Sequence, residues 1–288
     1  MKELTIVSGK GGAGKTSVAA SFAALARDKA IADCDVDAAD LHLVMEPAIK
    51  HREPFSGGSK AEINLEKCSS CGLCRTLCRF DAIDEDYKID DFACEGCGVC
   101  TDNCPEKAAL LIPRHAGELF VSNTRNGPMV HARLIPGEEN SGKLVSLVRS
   151  RAREIAENEK LGLVLIDGSP GIGCPVIASV TGVSLLLIVT EPTLSGLHDL
   201  DRIASLAAHF GIPSAVCVNK FDINIEMTNS IEEYCAGKKL PVVGRIPYDT
   251  LVTKAQIAGV SVVEYSGGAA ALEVSRVWKK TNYMLETC

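Results

Sequence analysis

The sequence predicts an α/β protein: a mostly parallel sheet with helices on both faces, plus a small cysteine-rich insert. Three observations predict it. Short apolar, β-branched runs alternate with helical stretches along most of the 288 residues. The first such run passes directly into a glycine-rich loop and then a helix. Eight of the 13 cysteines crowd between Cys68 and Cys104.

Taken in order, Leu4–Val7 reads as a buried strand. It leads into Gly9-Lys10-Gly11-Gly12-Ala13-Gly14-Lys15-Thr16, which fits G-x4-G-K-[ST]. Thr16 to Arg27 follows as a helix with Val18, Phe22 and Leu25 on a face. Strand, loop and helix in that order make a phosphate cradle. Backbone N–H groups from Gly11, Gly12, Ala13, Gly14, Lys15, Thr16 and Ser17 are its candidates, aided by the helix dipole. Lys15 is expected at the β- and γ-phosphates and Thr16 Oγ on Mg²⁺. Ile31–Asp35 reads as a second strand ending in acids, and Leu163–Asp167 as an apolar strand ending in Asp.

Further strands are expected at Ser184–Thr190, Ala215–Lys220 and Val242–Ile246, and a helix at Leu194–Phe210. Asn126-Gly127 marks a hairpin within Gly117–Leu134. The stretch 137–143 is expected to lead into a helix ending near Glu159. Leu272–Leu285 reads as a terminal docking helix. Crossovers should be right-handed, with ligand at the C-terminal ends of the strands.

Composition bounds the function. Hydrophobic residues make up 46% and charged residues 23%, which excludes disordered and low-complexity classes. The net charge of −7 argues against a general nucleic-acid partner or an anionic membrane. Aromatics at 5% argue against a base-stacking platform. The N-terminus carries no secretory pattern, and no 18-residue apolar run occurs. The expectation is a cytoplasmic, reducing setting in which cysteines serve metal. An odd cysteine count fits that better than a disulfide framework. The six histidines show no metal spacing, and no Ser–His–Asp arrangement is apparent.

The clustered cysteines form one pattern twice: Cys68, Cys71, Cys74, Cys78, then Cys94, Cys97, Cys100, Cys104, with a period of 26 residues. Pro105 follows the second run, whereas Arg79 follows the first. The spacing resembles that of bacterial two-cluster ferredoxins, and soft thiolates suit iron–sulfur clusters. In those proteins the fourth Cys of a run reaches the other cluster. The resemblance assigns Cys68, Cys71, Cys74 and Cys104 to one [4Fe–4S] cluster, and Cys94, Cys97, Cys100 and Cys78 to a second. Two four-thiolate zinc sites are the alternative. Residues 59–113 are expected to form this inserted domain, opening after Ser56-Gly57-Gly58-Ser59 as a loop. They hold six Lys/Arg and eleven Asp/Glu, so most of the chain's acidity lies there.

The second lysine in the loop, Lys10, resembles the deviant Walker A of the MinD/Mrp/ParA superfamily of P-loop ATPases, to which the nitrogenase iron protein is related. The resemblance spans 1–58 and 114–288, interrupted by the ferredoxin-like insert. It implies that Lys10 reaches across a nucleotide-dependent homodimer to the partner's ATP. It implies that Asp35 positions the attacking water, with Asp33 nearby and Asp40 a weaker candidate. Asp167 would hold Mg²⁺, through Gly168-Ser169-Pro170-Gly171 in place of D-x-P-P-G, with Ser169 loosening that switch. Asn219 would read adenine, and Pro247 and Asp249 would lie on the base side. The nitrogenase iron protein has a ligating cysteine where Cys174 stands, but the C-x-x-C of Mrp-type scaffolds is absent. Cys34, Cys217 and Cys235 read as small apolar core residues, and Cys288 as a free terminal thiol.

Together these features imply an ATP- and Mg²⁺-dependent ATPase that passes electrons through two [4Fe–4S] clusters to a redox client. An iron–sulfur delivery ATPase and a MinD-like positioning ATPase are the alternatives.

Overall fold

The computed structural model describes residues 1–138 and 142–287. Cys288 and part of the loop expected at 137–143 lie outside the described residues. The chain divides into two compact units. One comprises Met1–Glu53, Leu119–Arg133 and Asn140–Cys288; the other comprises Pro54–Glu118 and Leu134–Glu139.

The first unit is built on β1 (Lys2–Val7), β2 (Lys29–Asp33), β6 (Leu163–Asp167), β7 (Leu185–Thr190), β8 (Ser214–Asn219) and β9 (Val242–Ile246). β3 (Ala48–Ile63), β4 (Ala109–Thr124) and β5 (Gly127–Leu134) complete a sheet of order β3-β4-β5-β2-β6-β1-β7-β8-β9. β1, β2, β6, β7, β8 and β9 pair in parallel. β7 up to Val189 and the middle of β8 are apolar and buried on both faces, as a helix-covered parallel sheet demands. β4 and β5 are joined through Arg125 and Asn126, so the hairpin falls where Asn126-Gly127 placed it.

The helices are α1 (Lys15–Leu25), α2 (Leu41–Met45), α3 (Leu73–Leu77), α4 (Val99–Asp102), α5 (Lys143–Asn158), α6 (Cys174–Val180) and α7 (Leu194–His209). α8 (Ile225–Gly237), α9 (Thr250–Ile257), α10 (Val262–Tyr265) and α11 (Ala269–Thr287) follow. α1 is short-side-chained and buried nearly all round, through Val18, Ala19, Ala20, Phe22 and Ala23. That lets it lie close against the sheet. Phe22 is fully buried and meets Trp278 of α11 at 4.9 Å between ring centroids. Truncating such a ring costs about 3–5 kcal/mol. α11 buries Ala270, Val274, Val277, Thr281 and Leu285, a helix-period stripe, so it docks as expected. No helix among the described residues is long and apolar enough to cross a membrane.

The second unit has a small core of Ala61, Ala82 and Cys94, with Phe80 and Ile89 packed on it. Its limits are wider than the expected 59–113 insert, because β3 and β4 each run for 16 residues across the boundary. Ser56–Ser59 is a strand rather than the expected loop. Gly57 lies so close to β4 that a Cβ there would meet the Ala116 methyl at 2.7 Å. The glycine is thus a packing requirement in a strand, not a turn signal.

Candidate functional site

The C-terminal ends of β1, β2, β6 and β8 meet at one edge of the sheet. Parallel pairing places Asp33 of β2 beside Asp167 of β6, and Ile6 of β1 on the other side of Asp167. Two carboxylates therefore stand in register. Asp35 follows two residues later, where its N–H donates to Asp33 Oδ1 at 3.2 Å.

Lys15, the first residue of α1, points into this acidic group. Its Nζ lies 2.6 Å from Asp167 Oδ1, 3.2 Å from Asp35 Oδ2 and 3.3 Å from Thr16 Oγ1. Burial works to lower the pKa of this ammonium, but Asp167 and Asp35 outweigh it and hold it above the ordinary value. Asp33 is raised well above the carboxylate range by burial and by the neighbouring Asp167. Burial also raises Asp35, against the pull of Lys15. Asp33 Oδ2, Asp35 Oδ1 and Asp167 Oδ2 are buried without hydrogen-bond partners. One ammonium cannot satisfy three carboxylates. Unpartnered oxygens beside a phosphate cradle and the Thr16 hydroxyl are a donor set that suits Mg²⁺.

A cleft of about 420 Å³ opens here. Gly11, Gly12, Gly14 and Lys15–Val18 line it, together with Asp35, Asp40, Asn219 and Pro247–Asp249. Gly12 and Gly14 sit in the left-handed region, at φ 85° and 92°, where a side chain is strained. Ala13 is buried in the loop. Ser17 accepts a hydrogen bond from Gln256 Nε2 at 3.0 Å. Lys10 is turned elsewhere: its Nζ pairs with Glu191 Oε1 at 2.8 Å and donates to Ser195 Oγ at 3.0 Å.

Two expected base-side groups are already occupied. Asn219 Nδ2 donates to the Ala13 carbonyl, and Asp249 caps α9 by accepting from the Leu251 N–H at 2.9 Å. Ser169 does not loosen its loop. It is buried, and its hydroxyl donates to the Cys34 carbonyl at 2.6 Å, tying the segment after β6 to the end of β2. A proline could not make that bond.

Sequence reasoning missed Tyr248, Thr253 and Gln256 as cleft residues. Thr253 and Gln256 are three apart on α9, a spacing that could have flagged one face. Lys220 was noted without a role. Its Nζ donates to the Gly12 carbonyl at 2.8 Å.

In the second unit the eight clustered cysteines surround two small cavities. Cys68, Cys71, Cys74 and Cys104 line one; Cys78, Cys94, Cys97 and Cys100 line the other. Each cavity thus takes three thiols from one run and the fourth from the other run. N–H groups already point at sulfur: Ser70 to Cys68 Sγ at 3.4 Å, Ala108 to Cys104 Sγ at 3.2 Å, and Ala61 to Cys94 Sγ at 3.4 Å. Gly96, at φ 63°, leaves no room for a Cβ, which would lie 2.0 Å from the Ser59 carbonyl oxygen. The thiols are unbridged. Among the described residues no three of His, Cys, Asp and Glu converge closely enough to hold a single metal ion. Cys34, Cys217 and Cys235 are buried, and burial pushes the Cys217 thiol up to about 12 and Cys235 up to about 11. Cys174 is exposed at the start of α6.

Known proteins place this arrangement. The uncharacterized protein MJ0578 of Methanocaldococcus jannaschii is 35% identical over 225 residues, 77% of this chain and 79% of that one. The pyruvate synthase subunit PorD of the same organism is 43% identical over 76 residues, 24% of this chain and 88% of the subunit. The cell division ATPase MinD of Pyrococcus furiosus has the same fold, at a TM-score of 0.59 and 17% identity, covering 98% of this chain and 99% of that one. The family described as the CobQ/CobB/MinD/ParA nucleotide binding domain matches residues 4–262, and with the phosphate cradle and its carboxylates in place the chain belongs to that family.

Proposed function

We propose that this chain is a Mg²⁺-dependent ATPase that closes as a nucleotide-dependent homodimer and couples closure to electron transfer through two [4Fe–4S] clusters. One observation carries the redox half: Cys104 joins the first cysteine run around its cavity, and Cys78 joins the second. Such a cluster, when bound, supplies one-electron transfer. The chain's own part is to present four thiols to each cavity and N–H donors to the sulfurs. The likeness to a pyruvate synthase subunit, over a span comparable to the cysteine-rich unit, supports this reading.

In the ATPase half, Lys15 balances Asp35 and Asp167 before nucleotide arrives. With nucleotide bound, its ammonium would turn to the β- and γ-phosphates, while Thr16 Oγ and Asp167 would hold Mg²⁺, which neutralises charge on the phosphates. Asp35 orients the attacking water, and Lys10 leaves Glu191 for the partner's nucleotide. Such hydrolysis needs positioning and charge stabilisation, with no covalent group from the protein. A positioning ATPase is the second reading, favoured by the fold shared with MinD.

The test is an EPR-monitored redox titration without nucleotide, with Mg-ADP, and with a non-hydrolysable ATP analogue. The expected result is a cluster midpoint that moves with nucleotide state. Three superimposable curves would overturn the coupling and favour the positioning ATPase.

A further inference from the structure

Two consecutive residues at the end of β8 grip two consecutive carbonyls of the phosphate loop. Asn219 Nδ2 donates to the Ala13 carbonyl at 2.8 Å, and Lys220 Nζ donates to the Gly12 carbonyl at 2.8 Å. The peptide bonds are trans, so the N–H that follows each carbonyl points the opposite way. The two donors therefore turn the Ala13 and Gly14 N–H groups away from β8. A phosphate cradle needs its N–H groups freed from internal partners and aimed at one anion.

Two further observations show that the contact is built in. Lys220 holds a left-handed backbone, at φ 55°, a conformation that favours glycine over a residue with a side chain. Gly14 has no space for a side chain: a Cβ there would sit 2.1 Å from Asn219 Nδ2. Loop and strand end are shaped to each other. Glu191 Oε2 lies 3.5 Å from Lys220 Nζ, and its Oε1 pairs with Lys10 of the same loop, so one carboxylate ties the lysine to the loop's start.

We infer that Asn219 and Lys220 are positioning residues for the polyphosphate: they hold the loop's N–H groups in the anion-binding orientation without touching the anion. Asn219 then acts on the phosphates through the loop, and only its Oδ1 is left to meet a base. This inference rests on the reading of the cleft as a nucleoside triphosphate site.

The test compares two ligands on the full chain, with Mg²⁺ present: ATP, and inorganic triphosphate competing against a fluorescent ATP. The variants are Asn219→Ala, Lys220→Met and Lys220→Arg. Each of the first two should weaken both ligands by one factor, about 2- to 10-fold for Asn219→Ala and about 10- to 100-fold for Lys220→Met, the worth of a neutral and of a charged hydrogen bond to the loop. Lys220→Arg keeps a charged donor and should recover most of the affinity. A purely structural defect would not be rescued in that way. Ligand-free melting curves report whether each variant folds. Should Asn219→Ala fail to fold, Lys220→Met carries the same test. If Asn219→Ala weakens ATP but leaves inorganic triphosphate unchanged, Asn219 is a base reader and the inference is overturned. Lys220→Met binding both ligands like the wild type would overturn it as well. A wild-type chain that binds neither ligand would overturn the reading of the cleft, and this inference with it.

Discussion

Lys10 Nζ and Glu191 Oε1 form an ion pair at 2.8 Å within one chain. Glu191 is held below the usual carboxylate range: burial would raise it, but Lys10 and Lys220 outweigh that. It is therefore ionised at neutral pH, and under the proposed function Lys10 would have to break this pair to reach a partner's nucleotide. Lys10 is about two-fifths exposed, so such a pair is worth roughly 0.2–1 kcal/mol. Glu191→Gln should shift the ATP concentration that half-saturates dimerisation downward, by up to about fivefold. Analytical ultracentrifugation across an ATP series reads this directly. Identical curves for the variant and the wild type would show that the pair does not restrain Lys10.

Lys15→Met removes the ammonium that faces Asp33, Asp35 and Asp167. ATP binding should fall at least 100-fold, because the β- and γ-phosphates lose their charged donor. The nucleotide-free protein should also lose about 3–5 kcal/mol at pH 7, the usual cost of stranding buried charge. Iron content should stay at the wild-type level, since all eight clustered cysteines belong to the other compact unit. Calorimetric titration, chemical denaturation and an iron assay on the same preparation separate the three effects.

Much of the nucleotide-binding unit was legible because its signals are local. β6 spans Leu163–Asp167, and the apolar run ending in Asp marks the same limits. The cradle at Gly9–Thr16 is a contiguous motif. What stayed hidden depends on residues distant in sequence. Asn219 reaches back 206 positions to Ala13, and Lys10 reaches forward to Glu191. Asp249, expected on the base side, lines the cleft and also caps α9, and the cap depends on a turn geometry that the motif does not show. Gly57 and Gly58 carry a loop signal, yet pairing with β4 absorbs them into a strand. Cysteine spacing alone shows two runs; the exchange of Cys78 and Cys104 is expected only from the resemblance to two-cluster ferredoxins, and in the fold each of the two lines the cavity of the other run.

Arg125 and Glu264 give a pH signature outside the cleft. Arg125 Nε, in the β4–β5 turn, lies 2.7 Å from Glu264 Oε1. Glu264 also closes the capping box of α10 with Ser261. Burial would raise Glu264, but the Arg125 guanidinium and the Ser261 hydroxyl and N–H outweigh it and hold the carboxyl at about 2. A depressed carboxylate stabilises the fold above its unfolded pKa and loses that contribution as pH falls. Glu264→Gln should therefore destabilise by about 1–2 kcal/mol at pH 7, after allowance for solvent screening of a partly exposed pair. The difference from wild type should shrink as pH drops from about 4.5 towards 2. Urea midpoints across that range check the sign. A difference that grew on acidification would refute it.

The exchange of thiols between cavities makes the sharpest demand on the redox reading. If each cavity holds one [4Fe–4S] cluster, the anaerobically prepared chain carries about eight iron atoms. Cys104 lines the cavity of Cys68, Cys71 and Cys74, although 30 residues separate it from the last of them in sequence. Cys104→Ser and Cys68→Ser should therefore damage the same cluster, leaving about four irons and one unaltered set of EPR signals. Cys78→Ser and Cys94→Ser should damage the other cluster and leave the complementary set. The double change Cys68→Ser with Cys104→Ser should lose little more than either alone, because effects within one site do not add. Cys68→Ser with Cys78→Ser should instead remove nearly all the iron, although those two residues share a run. If sequence neighbours shared a cluster, that second pair would be the non-additive one. Zinc in place of iron at stoichiometric occupancy would sink the electron-transfer half of the proposal and leave the nucleotide site untouched.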